Sequence, residues 1–184
     1  MSLANQNIEN LVALCKQNNQ LAQFEIYNRY SKAMYNVACR IVKDQHFAQD
    51  VMQEGFLKAF TKINDYKQEV VFGAWLKRII LNYSIDFYKK NNRITYDDFD
   101  KTIYKVENFE ENIIDNLDFN NLKVCQILNA MKSLKDNYSM VLTLFFIEGY
   151  DTEEISEILN ISYPNCRTML SRAKESLRNK LTEI

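Results

Sequence analysis

Three glycines and one proline in 184 residues leave this chain little means of making tight turns. A β-rich fold needs such punctuation at its hairpins, so the scarcity predicts an all-α protein. It also removes any glycine-rich loop able to cradle a nucleotide phosphate. The length suits one large or two small helical domains. Hydrophobic residues at 47% suffice for a core, yet no apolar run approaches the roughly 18 residues of a membrane span. The first residues lack the charged-then-apolar pattern of a secretion signal, so a cytoplasmic protein without stable membrane insertion is expected.

The side chains that carry most chemistry are few. His46 is the only histidine, which removes most Ser-His and Cys-His schemes and most zinc sites. Cys15, Cys39, Cys125 and Cys166 are far apart, contain no Cys-x-x-Cys pair and fall in predicted helices, as reduced core thiols would. No motif singles out a catalytic carboxylate pair. The expectation is a protein with no catalytic residues, no metal site and no cofactor.

The stretch from Gly149 to Lys180 has the most informative pattern. Asp151 stands at an N-cap position and Glu154 three residues later, where a capping-box partner belongs. Ile155, Ile158 and Leu159 then form an apolar stripe, and Asn160 suits the left-handed residue that ends a helix. A second helix restarts at Ser162, with Pro164 tolerated in its first turn. Cys166, Met169, Leu170, Ala173 and Leu177 recur at helical spacing as its buried face. Opposite them stand Asn165, Arg167, Thr168, Ser171, Arg172, Lys174 and Arg178. Short hydrogen-bonding groups near the N-terminus with cations further along suit a helix that reads the major groove. An ordinary helical hairpin with a solvated basic face fits the same spacing.

Charge is unevenly distributed. Between Asn92 and Asn121 eight acids face three bases, a balance of −5 in a chain whose formal total is −1, so the remainder carries +4. This acidic, weakly periodic segment predicts a flexible linker over 93–121. It separates an N-terminal domain over 1–92 from a C-terminal one over 122–184. In the latter, helices are expected from Leu122 to about Ser133 and from Tyr138 to Glu148, ahead of the helix-turn-helix.

In the N-terminal domain the spacing predicts helices over 7–17, 21–42, 47–63 and 72–93. Phe24, Tyr27, Tyr30, Met34, Tyr35, Ala38 and Ile41 are the expected buried side of the second. In the third, Asp50, Gln53 and Glu54 share a polar side, which fits a solvated face or a partner-docking surface. In the fourth, Phe72, Trp75, Leu76, Ile79, Tyr83 and Phe87 form the expected apolar side, with Lys77, Arg78, Asn82, Asp86, Lys89 and Lys90 exposed. Aromatics interleaved with cations suit single-stranded nucleic acid, although Trp75 also fits a core anchor.

Together these blocks resemble the extracytoplasmic-function (ECF) group of bacterial RNA polymerase sigma factors. FEIYNRYSKAMYNVACRIVKD looks like the start of the family's domain two, and DVMQEGF is similar to its D-V-x-Q-E-x-F core-binding segment. FGAWLKRIILNYSIDFYKK resembles the block that recognises and opens the minus-ten element. EGYDTEEISEILNISYPNCRTMLSRAKESL is similar to the domain-four helix-turn-helix that reads the minus-thirty-five element. The order of the blocks along the chain also matches the family.

The resemblance implies a sigma factor that binds core RNA polymerase and directs promoter recognition and strand opening. It implies that Asp50, Gln53, Glu54 and Phe56 dock on the polymerase, with Phe56 also able to hold its own helix. It implies minus-ten contacts from Lys77, Arg78, Asn82, Lys89 and Lys90, and helix-turn-helix contacts from Asn165, Arg167, Thr168, Ser171, Arg172 and Lys174. The segment Asp65 to Val71 corresponds to one that helps capture a flipped-out base. An anti-sigma factor is a common partner in the family and is expected here, beside duplex and single-stranded promoter DNA. This sequence departs from the family pattern at Asn160, where glycine is frequent, and across 165–169, where Met169 replaces an arginine. The base preference of that helix is therefore its own. The rival readings are a stand-alone helix-turn-helix regulator, which leaves the two N-terminal blocks without work, and a helical scaffold that binds only proteins.

Overall fold

The computed structural model describes residues 3–91 and 120–182, which are helical apart from short connections and fall into two compact units. The expected acidic linker lies outside the described residues, except that 120 and 121 already open a helix.

The N-terminal unit contains α1 (Ile8–Lys16), α2 (Gln20–Val42), α3 (Gln45–Thr61), a 3-10 turn (Ile63–Asp65) and α4 (Phe72–Asn91). Its breaks are chemically explicit. Asn18 and Lys43 adopt left-handed conformations, with φ of 59° and 60°, and in each case the next residue caps the following helix. The side chains of Asn7, Asn19 and Asp44 each accept from the backbone N–H three residues ahead. The Asp44 cap explains why α3 begins at Gln45 and not at Phe47, since it satisfies an otherwise orphaned donor of the first turn.

Helices α2, α3 and α4 pack mutually, with α1 against α2 and the 3-10 turn. The buried side of α2 runs through Ala22, Ile26, Met34, Val37, Ala38 and Ile41, while Phe24 is 63% exposed. The buried side of α4 runs through Phe72, Leu76, Ile80, Leu81, Ile85 and Tyr88. Trp75, Ile79, Tyr83 and Phe87, expected inside, are half-buried. Helix α4 has more apolar residues than one face can bury, and packing against two helices at once selects the Ile80 side. There Gly55 of α3 lets the helices approach closely: a Cβ on Gly55 would overlap Ile80 Cδ1.

The C-terminal unit contains α5 (Asn120–Lys132), α6 (Asp136–Leu142), a π-helical turn (Thr143–Ile147), α7 (Thr152–Leu159) and α8 (Tyr163–Thr182). Helix α6 begins at Asp136, two residues before the expected Tyr138, because Asp136 in its first turn complements the helix dipole. The expected helix through Glu148 widens instead. Glu148 N–H donates to Thr143 and Tyr150 N–H to Leu144, and Gly149, at φ 79°, ends the segment. Helices α5, α6 and α7 pack on α8 around Val141, Leu142, Leu144, Ile155, Cys166, Leu170 and Ala173. The side chain of Leu122, expected on the apolar side of α5, lies outside the described residues.

Candidate nucleic-acid and polymerase interfaces

The α7–α8 pair is built as the sequence pattern requires. Asp151 accepts from Glu154 N–H at 2.8 Å while the Glu154 carboxylate accepts from Asp151 N–H at 2.9 Å, so both donors are satisfied reciprocally. Asn160 ends α7 in the left-handed conformation, at φ 55° and ψ 51°. Ile161 N–H then donates back to the Ser156 carbonyl at 3.0 Å. Ile155, Ser156 and Leu159 are buried, and Ile158 only half so. On α8, Cys166, Leu170, Ala173 and Leu177 are buried, with Met169 at the margin.

That packing fixes which side of α8 is presented. Asn165, Thr168 and Arg172 form one exposed row, and Arg167, Ser171 and Arg178 a second beside it. The Thr168 hydroxyl donates to the Pro164 carbonyl at 2.9 Å, leaving its lone pairs outward. Lys174 does not belong with them. It lies at the edge of the packed side, half-buried, with Nζ 3.9 Å from the centre of the Phe145 ring. The π turn that swings Phe145 and Phe146 beside α8 is the reason.

In the N-terminal unit, Arg78, Asn82 and Lys89 share one side of α4 with Trp75 and Ile79, and Lys90 is exposed near the C-terminal end. Lys77 stands roughly 100° away by helical angle, toward the buried stripe. Asn82 and Lys90 are exposed, whereas Lys77, Arg78 and Lys89 are half-buried. The four cations and the Asn82 amide therefore do not converge on a single line. Trp75 joins an aromatic cluster with Tyr66 at 5.2 Å and Phe72 at 5.6 Å.

On α3, Asp50, Gln53 and Glu54 are exposed within an arc of roughly 100°. Phe56 points the other way. It is 2% exposed, meets Tyr27 edge-on at 5.0 Å and Phe60 at 6.0 Å, and so holds α3 to the core instead of facing a partner. The apolar residue on the acidic side is Leu57, 59% exposed, one turn beyond Glu54; Phe47, 49% exposed, lies one turn before Asp50 and against Phe87. Both were legible by continuing the polar triplet one turn in either direction. A pattern of polar residues passes over both because they are apolar.

Comparison with known proteins gives this arrangement a family. The Sigma-70 region 2 model matches residues 26–94 and the Sigma-70 region 4 model residues 126–177. The ECF RNA polymerase sigma factor SigM of Bacillus subtilis is 30% identical over 157 residues, spanning 84% of this chain and 91% of SigM. This chain is an ECF sigma factor. SigW of the same organism is 28% identical over 187 residues, spanning 96% of this chain and 98% of SigW. Among solved structures, CnrH in complex with the cytosolic domain of CnrY has the same fold, with a TM-score of 0.55 at 22% identity over 94% of this chain and 96% of that one. So does the sigma factor RpoE in complex with the anti-sigma factor NepR from Bartonella quintana, with a TM-score of 0.57 at 20% identity over 86% and 95%.

As an ECF sigma factor, the protein binds core RNA polymerase and promoter DNA and directs transcription initiation. Sigma factors are initiation factors, not enzymes. Among the described residues of this sigma factor, no helix is long and apolar enough to cross a membrane. Two of the expected contact residues face their own domain: Phe56 is a core residue, as its helix-holding role requires, and Lys174 rests against Phe145.

Proposed function

We propose a division of labour within this cytoplasmic sigma factor. The N-terminal domain, 1–92, docks on the polymerase through Asp50, Gln53 and Glu54, with Leu57 and Phe47 as the apolar flank of the same surface. It contacts the minus-ten element through Arg78, Asn82, Lys89 and Lys90, with Lys77 to one side, and captures an unpaired base with the segment 65–71. The C-terminal domain, 122–184, reads the duplex minus-thirty-five element through Asn165, Arg167, Thr168, Ser171 and Arg172. Residues 93–121 join them as an acidic linker. An anti-sigma factor restrains the protein in resting cells, a reading supported by the anti-sigma partner NepR named for RpoE.

The observation that carries this reading is the contrast between two exposed helix faces. One side of α3 is acidic with exposed leucine and phenylalanine, which suits a protein partner. The outward side of α8 carries arginines beside short polar side chains, which suits DNA. Run-off transcription with purified core enzyme tests it. Promoter-dependent transcripts are expected only when this chain is added. A gel shift showing tight, specific promoter binding without core enzyme, and no gain when core is added, would instead fit a stand-alone regulator.

A further inference from the structure

The connection from the 3-10 turn to α4 is short and exposed along 67–71, yet it is held at several points. Lys16, the last residue of α1, donates from Nζ to the Tyr66 carbonyl at 3.0 Å, across 50 residues of sequence. The Tyr66 ring is buried against Phe72 at 5.5 Å and Trp75 at 5.2 Å. Its hydroxyl donates to the Val70 carbonyl at 2.8 Å. Within the ring so closed, Gln68 adopts a left-handed conformation at φ 63°. The Val71 carbonyl then accepts from Ala74 and Trp75 to start α4.

Tyr66 thus spans the neck of the loop, its backbone fixed by Lys16 and its hydroxyl fixing the opposite strand of the neck. Ordering a free backbone has an entropic cost at every residue, so a loop ordered only on binding would weaken every ligand alike. A loop ordered beforehand presents one shape, and one shape can discriminate between ligands.

We propose that Lys16 and Tyr66 are positioning residues for promoter recognition, holding the 67–71 loop in the shape that selects the captured base. The proposal rests on the assignment of 65–71 to base capture made above. Lys16 makes α1, distant in sequence from both DNA-contacting blocks, part of the recognition apparatus. Its ammonium donates to a backbone carbonyl, a bond that an arginine can also make. Tyr66→Phe removes the tie to Val70 and leaves the aromatic packing in place.

The test uses the full chain with core enzyme on templates selected by the wild-type holoenzyme from a library randomised across the minus-ten element. Open-complex formation is read by permanganate reactivity on the preferred template and on its single-base variants. Lys16→Met and Tyr66→Phe are each expected to lower the preference at one minus-ten position about fivefold, the worth of a single hydrogen bond near 1 kcal/mol. Affinity for core enzyme stays unchanged, and Lys16→Arg restores the preference. If both variants depress all templates by the same factor, the two residues only stabilise the domain and the proposal is overturned. Gln68→Ala and Val70→Ala serve as direct probes of the loop. If neither alters selectivity at any position, the base-capture assignment fails and the proposal with it. If they alter it while Lys16→Met and Tyr66→Phe do not, the assignment stands and the positioning role is wrong.

Discussion

Lys174 Nζ rests 3.9 Å from the centre of the Phe145 ring and 5.4 Å from that of Phe146, so one cation of the recognition helix faces its own domain. An ammonium over an aromatic face contributes about 0.5–2 kcal/mol, depending on how far it is desolvated. Lys174→Ala is therefore expected to lower the thermal stability of the C-terminal domain while changing the salt dependence of promoter binding little. Arg167→Ala and Arg172→Ala should do the reverse. Each is exposed, and each should reduce the slope of log affinity against log salt by about one if it meets a phosphate. Equal salt slopes for all three variants, measured with holoenzyme on duplex promoter DNA, would overturn this ordering.

The two sides of α3 separate folding from docking. Phe56→Ala removes a ring that touches Tyr27 and Phe60 in the core and is expected to cost about 3–5 kcal/mol of stability. Asp50→Ala and Glu54→Ala alter exposed side chains and are expected to leave the melting temperature nearly unchanged while weakening core binding. Leu57→Ala belongs with the second group, since more than half of its side chain is open to a partner. Urea denaturation, paired with pull-down of core enzyme, separates the groups. A folded Phe56→Ala protein with native stability and lost core binding would return Phe56 to the docking surface.

Local chemistry made the ends of α7 readable in advance, and competition between faces hid much of the packing. The capping box at Asp151 and Glu154 and the left-handed Asn160 follow from residue type at fixed offsets, and they stand where the pattern put them. The apolar phase of α4 does not follow in that way. Both the Trp75–Ile79–Tyr83 stripe and the Ile80–Leu81–Ile85 stripe have helical spacing, and only the approach of α3 at Gly55 decides between them. Lys174 was assigned outward for a similar reason. Its neighbours Phe145 and Phe146 are turned toward it by a π-helical turn, whose i to i+5 bonds leave no mark in hydrophobic periodicity. The side of α3 that carries Asp50, Gln53 and Glu54 was legible because those residues are polar, and Leu57 was not, because it is apolar on an exposed face.

The turn between α7 and α8 tests the departure at Asn160. A left-handed φ of 55° is tolerated by asparagine and is free of steric cost for glycine. Asn160→Gly is expected to leave stability within about 0.5 kcal/mol of the wild type and to preserve promoter binding. Asn160→Val places a β-branched side chain in that conformation and should cost about 1–2 kcal/mol. Asp151→Ala should cost about 1 kcal/mol, because it removes one half of the capping box. Thermal melts of the three variants check the order. A destabilisation by glycine equal to that by valine would mean that the asparagine side chain, not its conformational tolerance, holds the turn.

The N-terminal domain should lose stability in alkali in a window set by Cys15. Its side chain is fully buried in α1, and burial pushes its thiol from 9.0 up to about 11. In the unfolded chain the thiol ionises near its ordinary value, whereas the folded domain keeps the proton. The unfolded state therefore releases its proton first as pH rises, and each further increment favours unfolding. The contribution is fully present below about pH 9 and is lost by about pH 11. Burial also raises the Cys39 thiol, which adds to the fall in the same direction. Tyr35, raised from 10.0 to about 12 chiefly by its hydrogen bond with Cys39 and then by burial, adds to the fall from about pH 10 upward. The single tryptophan, Trp75, lies in this domain and gives a fluorescence melt that reports on it alone. Between pH 8 and 11 the wild-type midpoint should drop steeply, and Cys15→Ala, though less stable at pH 8, should show a shallower decline. Parallel curves for the two proteins would show that Cys15 ionisation is not what the domain resists.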